Sequence, residues 1–89
     1  MNKATEFGFV STNVDGYAGQ VDFPGTGDEV LGILGHLDVV PAIDSEWKYP
    51  PYAGVVSDGK LWGRGTTDDK GPMIACLFAA KALHDAGFK

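Results

Sequence analysis

Short hydrophobic stretches separated by glycine-rich turns occupy most of the chain, and one long apolar stretch follows them. Residues 7–13 and 17–23 predict two strands of a hairpin, because the Asp15-Gly16 pair between them is typical of a tight turn. Residues 30–34, VLGIL, are apolar without alternation. This pattern predicts a strand buried on both faces, as in a parallel or mixed sheet.

The second half of the chain predicts another hairpin and a helix. Residues 54–63 form the expected hairpin, with its turn at Asp58-Gly59. Residues 72–86 are expected to be helical, and Gly87 suits the position that follows the last helical turn. Strands followed by a helix indicate the α/β class.

We expect residues 1–89 to form a single partial domain. A helix that follows a buried strand usually leads into another parallel strand, so the predicted elements lack partners. We therefore expect the chain to be part of a larger domain. Its unpaired strand edges would favour self-association. The alternative is a compact small domain.

Composition excludes several classes of function. The 89 residues carry a net charge of −5, which argues against nucleic acid as a partner because such binding needs a basic face. The longest nearly uncharged apolar stretch, residues 71–80, is too short to span a membrane. A single cysteine, Cys76, excludes an internal disulfide and agrees with a reducing compartment, so we expect a cytoplasmic protein.

His36-Leu37-Asp38 follows the predicted buried strand, at the end where open α/β sheets place ligands. Strand geometry would put His36 and Asp38 on one side. A metal-binding histidine commonly donates its other N–H to a carboxylate, and Asp38 is a candidate for that role. The alternative is a structural histidine near an exposed aspartate.

Residues 63–72, GRGTTDDKGP, place two aspartates in a glycine loop just before the predicted helix. Carboxylates are favoured there by the free N–H groups, so capping by Asp68 or Asp69 is one interpretation. The other places Asp68 beside His36, because an α/β sheet brings successive strand ends together. One histidine and one carboxylate would be half of a zinc site.

Three further features carry less information. Residues 54–60, GVVSDGK, match most of a phosphate-binding loop, but Leu61 replaces the required Ser or Thr and a hairpin replaces the helix. Arg64 is a candidate for binding a substrate carboxylate, with pairing to a nearby acid as the alternative. Trp47, Tyr49 and Tyr52 lie in the proline-rich loop, residues 41–53, and would line a pocket or pack under that loop.

Three stretches together, LGILGHLDVVPA, EWKYPPYAG and VVSDGKLWGRGTTDDKGP, resemble one family in their order and spacing. It is the family of two-zinc metallopeptidases that includes aminoacylase, glutamate carboxypeptidase, succinyl-diaminopimelate desuccinylase and carnosinase. The DDKGP ending and the earlier YAGQVDFPG are most similar to the bacterial PepV-type dipeptidase branch. The resemblance covers roughly residues 7–87.

The resemblance implies a fold, a cofactor and roles for particular residues. The fold would be part of a three-layer zinc-peptidase catalytic domain, a mixed sheet with hairpins and a C-terminal helix. His36 would ligate one zinc, Asp38 would orient His36, and Asp68 would bridge two zinc ions, with manganese or cobalt as alternative metals. The peptide bond after Asp68 would be cis, and Asp69 would cap the helix.

The resemblance also implies an activity, the metal-dependent hydrolysis of dipeptides. The alternatives are a related deacylase acting on N-acyl amino acids and a non-catalytic interaction module. The family's Glu-Glu pair, its remaining ligands and its lid domain have no counterpart in these residues, and no helix is expected before the first hairpin. We therefore expect the 89-residue chain alone to be inactive.

Overall fold

The computed structural model describes residues 2–88, which form helices, short strands and irregular loops. In chain order the elements are α1 (Asn2–Glu6), β1 (Val10–Val14), β2 (Ala18–Asp22), a 3₁₀ turn (Asp44–Glu46), β3 (Val55–Ser57), β4 (Lys60–Trp62) and α2 (Lys70–Asp85). The chain divides into two compact units. The first comprises the described residues up to Leu31 and those from Leu77 onward, and the second is Gly32–Cys76.

The first unit is built around the β1–β2 hairpin. The two strands are antiparallel, with Val10 opposite Asp22 and Val14 opposite Ala18. Asp15 and Gly16 both have positive φ, 55° and 74°, which is the backbone of the tight hairpin turn that the Asp-Gly pair predicts. The predicted hairpin is therefore confirmed, with shorter strands than the sequence indicated.

A small aromatic cluster holds this first unit together. Phe9 is only 5% exposed, and its ring centroid lies 5.5 Å from those of Phe23 and His84. Phe7 meets Phe78 edge-to-face at 5.1 Å. Edge-to-face ring pairs add stabilisation beyond the area that they bury, so these contacts fix the last turns of α2 against the N-terminal segment.

Helix α2 starts earlier than the sequence predicted and ends as expected. It begins at Lys70 rather than 72, because the chain preceding Pro72 already follows helical hydrogen bonding, with the Met73 N–H donating to the Asp69 carbonyl at 3.0 Å. At the other end the Phe88 N–H donates to Leu83 and the Gly87 N–H to His84, both at 3.0 Å. This pair of bonds is the Schellman motif, which satisfies the last carbonyl groups of a helix.

The second unit contains the β3–β4 hairpin, which turns at Asp58-Gly59 as predicted. The proline-rich loop packs against this hairpin. The Tyr49 ring lies 5.2 Å from the Trp62 ring, and the Tyr49 hydroxyl hydrogen-bonds the Ser57 hydroxyl at 2.9 Å. Pro51 in the same loop is fully buried.

Two expectations about secondary structure are wrong. Residues 30–34 do not form a strand, and Leu34 is 99% exposed. A strand needs a hydrogen-bonding neighbour, and none of the described residues pairs with this segment. The second error is α1, a short helix that precedes the first hairpin where no helix was expected.

The α/β class, with hairpins followed by a C-terminal helix, is confirmed. Among residues 2–88 the strands form two separate antiparallel sheets of two strands each. Within the same residues, no helix is long and apolar enough to cross a membrane.

The turn at Gly16 provides a test of the first unit. Neither Gly16 nor Gly27 has a neighbour that an added methyl group would meet, and only Gly16 has positive φ. Gly16→Ala is therefore expected to lower the free energy of unfolding by about 1 kcal/mol, because L-residues avoid this backbone region. Gly27→Ala is the matched control, expected to be neutral or slightly stabilising. Urea denaturation measures both, and equal effects of the two substitutions would contradict the assignment of the turn.

Candidate functional site

The glycine loop before α2 is held by backbone hydrogen bonds to itself and to the proline-rich loop. The Lys70 N–H donates to the Gly65 carbonyl at 3.0 Å, and the Arg64 N–H donates to the Pro51 carbonyl at 2.7 Å. At Gly71 a side chain would collide with the Thr66 carbonyl. These contacts set the path of the loop and so place the two aspartates within it.

The structure brings Asp68 and His36 together across 32 residues of sequence. The Asp68 Oδ1 atom lies 3.0 Å from His36 Nε2. The peptide bond between Asp68 and Asp69 is cis, as the resemblance implied. The His36 side chain is about half exposed and that of Asp68 is 85% exposed, so both groups are open to a ligand from solvent.

The other ring nitrogen of His36 faces Asp38. His36 Nδ1 lies 3.0 Å from the Asp38 carbonyl oxygen and 3.3 Å from its carboxylate oxygen Oδ1. The sequence indicated the carboxylate as the orienting group, and the structure places the backbone carbonyl closer. With a proton on Nδ1, this pair of oxygens would leave Nε2 with a free lone pair on the side of Asp68.

These oxygens raise the pKa of His36 above its ordinary value. The hydrogen bond to the Asp38 carbonyl is the largest cause. Partial removal from water acts in the opposite direction, while the hydrogen bond to Asp68 and the charges of both carboxylates add to the rise. The surroundings of this imidazole therefore favour a positive charge.

Asp69 has a role that the sequence did not predict. Its carboxylate oxygen Oδ2 accepts a hydrogen bond from the His36 backbone N–H at 3.1 Å. The expected use of Asp69 was capping of the helix, and the structure gives its carboxylate this partner instead. The residue before His36 leaves room for the contact, because a Cβ at Gly35 would lie 2.7 Å from Asp69 Oδ2.

His36, Asp38 and Asp68 border an open cleft of about 360 Å³, which Trp47 and Arg64 also line. The guanidinium carbon of Arg64 lies 5.2 Å from the centroid of the Trp47 ring, a cation–π distance. The alternative of pairing with a nearby acid is not realised for Arg64 among residues 2–88. Its Nε atom is buried and without a hydrogen-bond partner within that range.

The donor atoms in the cleft are those that zinc prefers, an imidazole nitrogen and a carboxylate oxygen. Two ligands leave a four-coordinate ion incomplete. In the part of the chain that the structure describes, no group of three or more His, Cys, Asp or Glu side chains is placed to hold a metal ion. The described residues thus fit one side of a metal site.

The His36–Asp68 contact can be tested through the acidity of the imidazole. In the chain kept free of metal by a chelator, the pKa of His36 is expected above 6.5, and Asp68→Asn is expected to lower it because the mutation removes a negative charge beside the imidazolium. The stabilisation from this pair is present at low pH and is lost as the pH rises through the raised pKa. Proton NMR titration of the histidine ring measures the shift. The exposed Asp28→Asn is the control, and an unchanged pKa in Asp68→Asn would contradict the contact.

Comparison with known proteins agrees with the features of the site. The family model described as "Peptidase family M20/M25/M40" matches residues 32–89, which are well over half of the chain. No solved structure matches the chain significantly.

Several curated proteins are similar over most of the chain. The "Beta-Ala-Xaa dipeptidase" of Lactobacillus delbrueckii subsp. lactis is 44% identical over 82 residues, 92% of this chain and 17% of that protein. "Putative dipeptidase SH1171" of Staphylococcus haemolyticus is 50% identical over 78 residues, and "Putative dipeptidase YtjP" of Bacillus subtilis is 41% identical over 78 residues; each match covers 88% of this chain and 16% of the relative. The chain thus spans about a sixth of the length of these relatives. It belongs to peptidase family M20/M25/M40.

Proposed function

We propose that the chain is part of a metal-dependent dipeptidase, an enzyme that hydrolyses the peptide bond of a dipeptide. The observation that carries the proposal is the 3.0 Å approach of His36 Nε2 and Asp68 Oδ1 in an open cleft. Family membership and the dipeptidase names of the relatives support the reaction class. The substrate class rests on those names.

The residues of the cleft fit a zinc site in which His36 and Asp68 are ligands. The side chains of His36 and Asp68 both line the cleft and are exposed to solvent. We propose that the complete site would hold two ions and that Asp68 would be a ligand to both. The remaining ligands and the general base would then lie outside the described residues.

Two metal ions, when bound, supply Lewis-acid activation of a water molecule and of the substrate carbonyl. The chain's own residues would hold the ions and orient the ligand side chains. Asp38 keeps the Nδ1 proton of His36 in place through its carbonyl and its carboxylate, which fixes the tautomer and raises the basicity of the ligand nitrogen. The Arg64 guanidinium, whose central carbon lies 5.2 Å from the centroid of the Trp47 ring, adds positive charge to a cleft that also contains the carboxylates of Asp38 and Asp68.

The metal site is tested in the longer natural protein that contains this segment. His36→Ala is expected to abolish binding of about two zinc ions per chain and to remove dipeptide hydrolysis. Metal content by mass spectrometry and hydrolysis of a dipeptide are measured on the same samples, with Asp28→Ala as the control for loss of an exposed acid. Hydrolysis of N-acyl amino acids in place of dipeptides would redirect the substrate class. No metal and no hydrolysis in the wild type would reject the enzyme and favour an interaction module.

A substitution at Asp38 can separate the contributions of its carbonyl and its carboxylate to the orientation of His36. Loss of a partner of a metal-bound histidine typically costs about 10–100-fold in metal affinity or activity. Asp38→Ala removes the carboxylate and keeps the carbonyl, which is the nearer oxygen, so we expect a loss near 10-fold. Zinc affinity from competition with a chromophoric chelator is the measurement, and a loss as large as that of His36→Ala would contradict the orienting role.

The 89-residue chain alone is expected to show no dipeptide hydrolysis, because the proposed general base is not among the described residues. It is also expected to bind zinc more weakly than the longer protein, since two ligands cannot complete a tetrahedral site. Calorimetric zinc titration and a chelator-controlled hydrolysis assay measure both. Turnover by the pure 89-residue chain that a chelator abolishes would disprove this assignment of the base.

A further inference from the structure

We propose that Asp69 is a positioning residue for the metal site, which acts by holding the backbone of His36 so that the imidazole stays opposite Asp68. The proposal rests on the metal-dependent function proposed above. It assigns a purpose to the second aspartate of the pair, for which the sequence indicated only helix capping.

The two adjacent aspartates hold one histidine at two points. Asp68 contacts the imidazole of His36 at 3.0 Å, and Asp69 accepts the backbone N–H of the same residue at 3.1 Å. A carboxylate acceptor makes the second bond charge-assisted and therefore stronger than a bond between neutral groups. With the backbone held by Asp69, rotation of the side chain is the main freedom left to His36. The ring contacts with Asp68 and with the Asp38 carbonyl, both at 3.0 Å, limit that rotation.

Asp69 is itself anchored to the start of α2. Its carbonyl accepts the Met73 N–H at 3.0 Å, so its backbone takes part in the helical hydrogen bonding although α2 begins one residue later, at Lys70. The carboxylate therefore links a rigid element to a segment without regular secondary structure, since residues 29–43 contain no strand or α-helix. A segment of that kind depends on such a link for a fixed position.

The space around Gly35 fits this link closely. A Cβ at Gly35 would lie 2.7 Å from Asp69 Oδ2 and 2.9 Å from Met73 Cγ, and would overlap Met73 Sδ. The methionine side chain is flexible and would move, whereas the Asp69 carboxylate would have to leave the His36 N–H. Gly35→Ala is therefore expected to break the same contact as removal of the Asp69 side chain.

The experiment uses the longer natural protein and measures zinc affinity by chelator competition, the visible absorption of the cobalt-substituted protein, and kcat and KM for a dipeptide. Asp69→Ala is expected to weaken zinc binding about 10–100-fold, the range typical of residues that support a metal ligand, and to shift the cobalt spectrum. Asp69→Asn keeps an acceptor oxygen of the same reach, so its affinity is expected to lie between those of the wild type and Asp69→Ala, nearer the wild type.

Gly35→Ala provides an independent test of the same contact if Asp69→Ala does not fold. It is expected to reproduce the loss of zinc affinity, and in the double variant the two losses are expected to be less than additive because both remove one contact. Gly32→Ala is the matched control, since a Cβ at Gly32 meets nothing within 4 Å, and it is expected to bind zinc as the wild type does.

The outcomes distinguish this inference from the proposed function. A wild type that binds zinc and hydrolyses dipeptides, with Asp69→Ala or Gly35→Ala unchanged in affinity and spectrum, overturns the positioning role alone. Asp69→Asn as damaging as Asp69→Ala overturns the role of the carboxylate as an acceptor. A lowered melting temperature with unaltered zinc affinity would assign Asp69 to helix capping. A wild type without metal overturns both proposals together.

Discussion

The contact between the His36 imidazole and the Asp68 carboxylate is the interaction on which the geometry of the candidate site depends. It joins two segments 32 residues apart, at 3.0 Å, and neither side chain is buried. The carboxylates of Asp38 and Asp68 and the carbonyl of Asp38 surround the ring. These oxygens favour a positive charge at the imidazole, which either a second ring proton or a bound metal ion would supply. Protonation and metal binding compete for the same nitrogen, which makes metal affinity at such a site depend on pH.

Local signals in the sequence predicted the local parts of the fold. A tight hairpin turn requires positive φ at its two central residues, and Asp-Gly pairs adopt this backbone readily. This condition is set within the turn itself, and both hairpins form where the sequence places such a pair, at Asp15-Gly16 and Asp58-Gly59. Gly87 stops α2 for the same kind of reason. The strand expected at residues 30–34 failed because strand formation depends on a neighbour, and hydrophobicity alone carries no information about whether that neighbour is present.

The parts of the candidate site also differ in how far the sequence predicted them. The pairing of His36 with Asp68 was expected from the resemblance and from an argument about strand ends, because the spacing alone left capping open. The pair forms although residues 30–34 are not a strand, so the argument about strand ends does not explain it. The carbonyl of Asp38 could not be predicted, since every residue has a carbonyl and only the backbone path decides which one meets the ring. Asp69 was missed for a related reason: its partner is a backbone N–H 33 residues away, and the one clue was the glycine that precedes His36.

Pro51 shows how a position can matter to the cleft without bordering it. Its side chain is fully buried, and its carbonyl accepts the Arg64 N–H at 2.7 Å, so the proline-rich loop serves as the support on which the glycine loop rests. A change at Pro51 would move the backbone that leads to Asp68, although Pro51 does not line the cleft. Tolerance to mutation in this unit should therefore follow the chain of backbone supports rather than distance from the cleft.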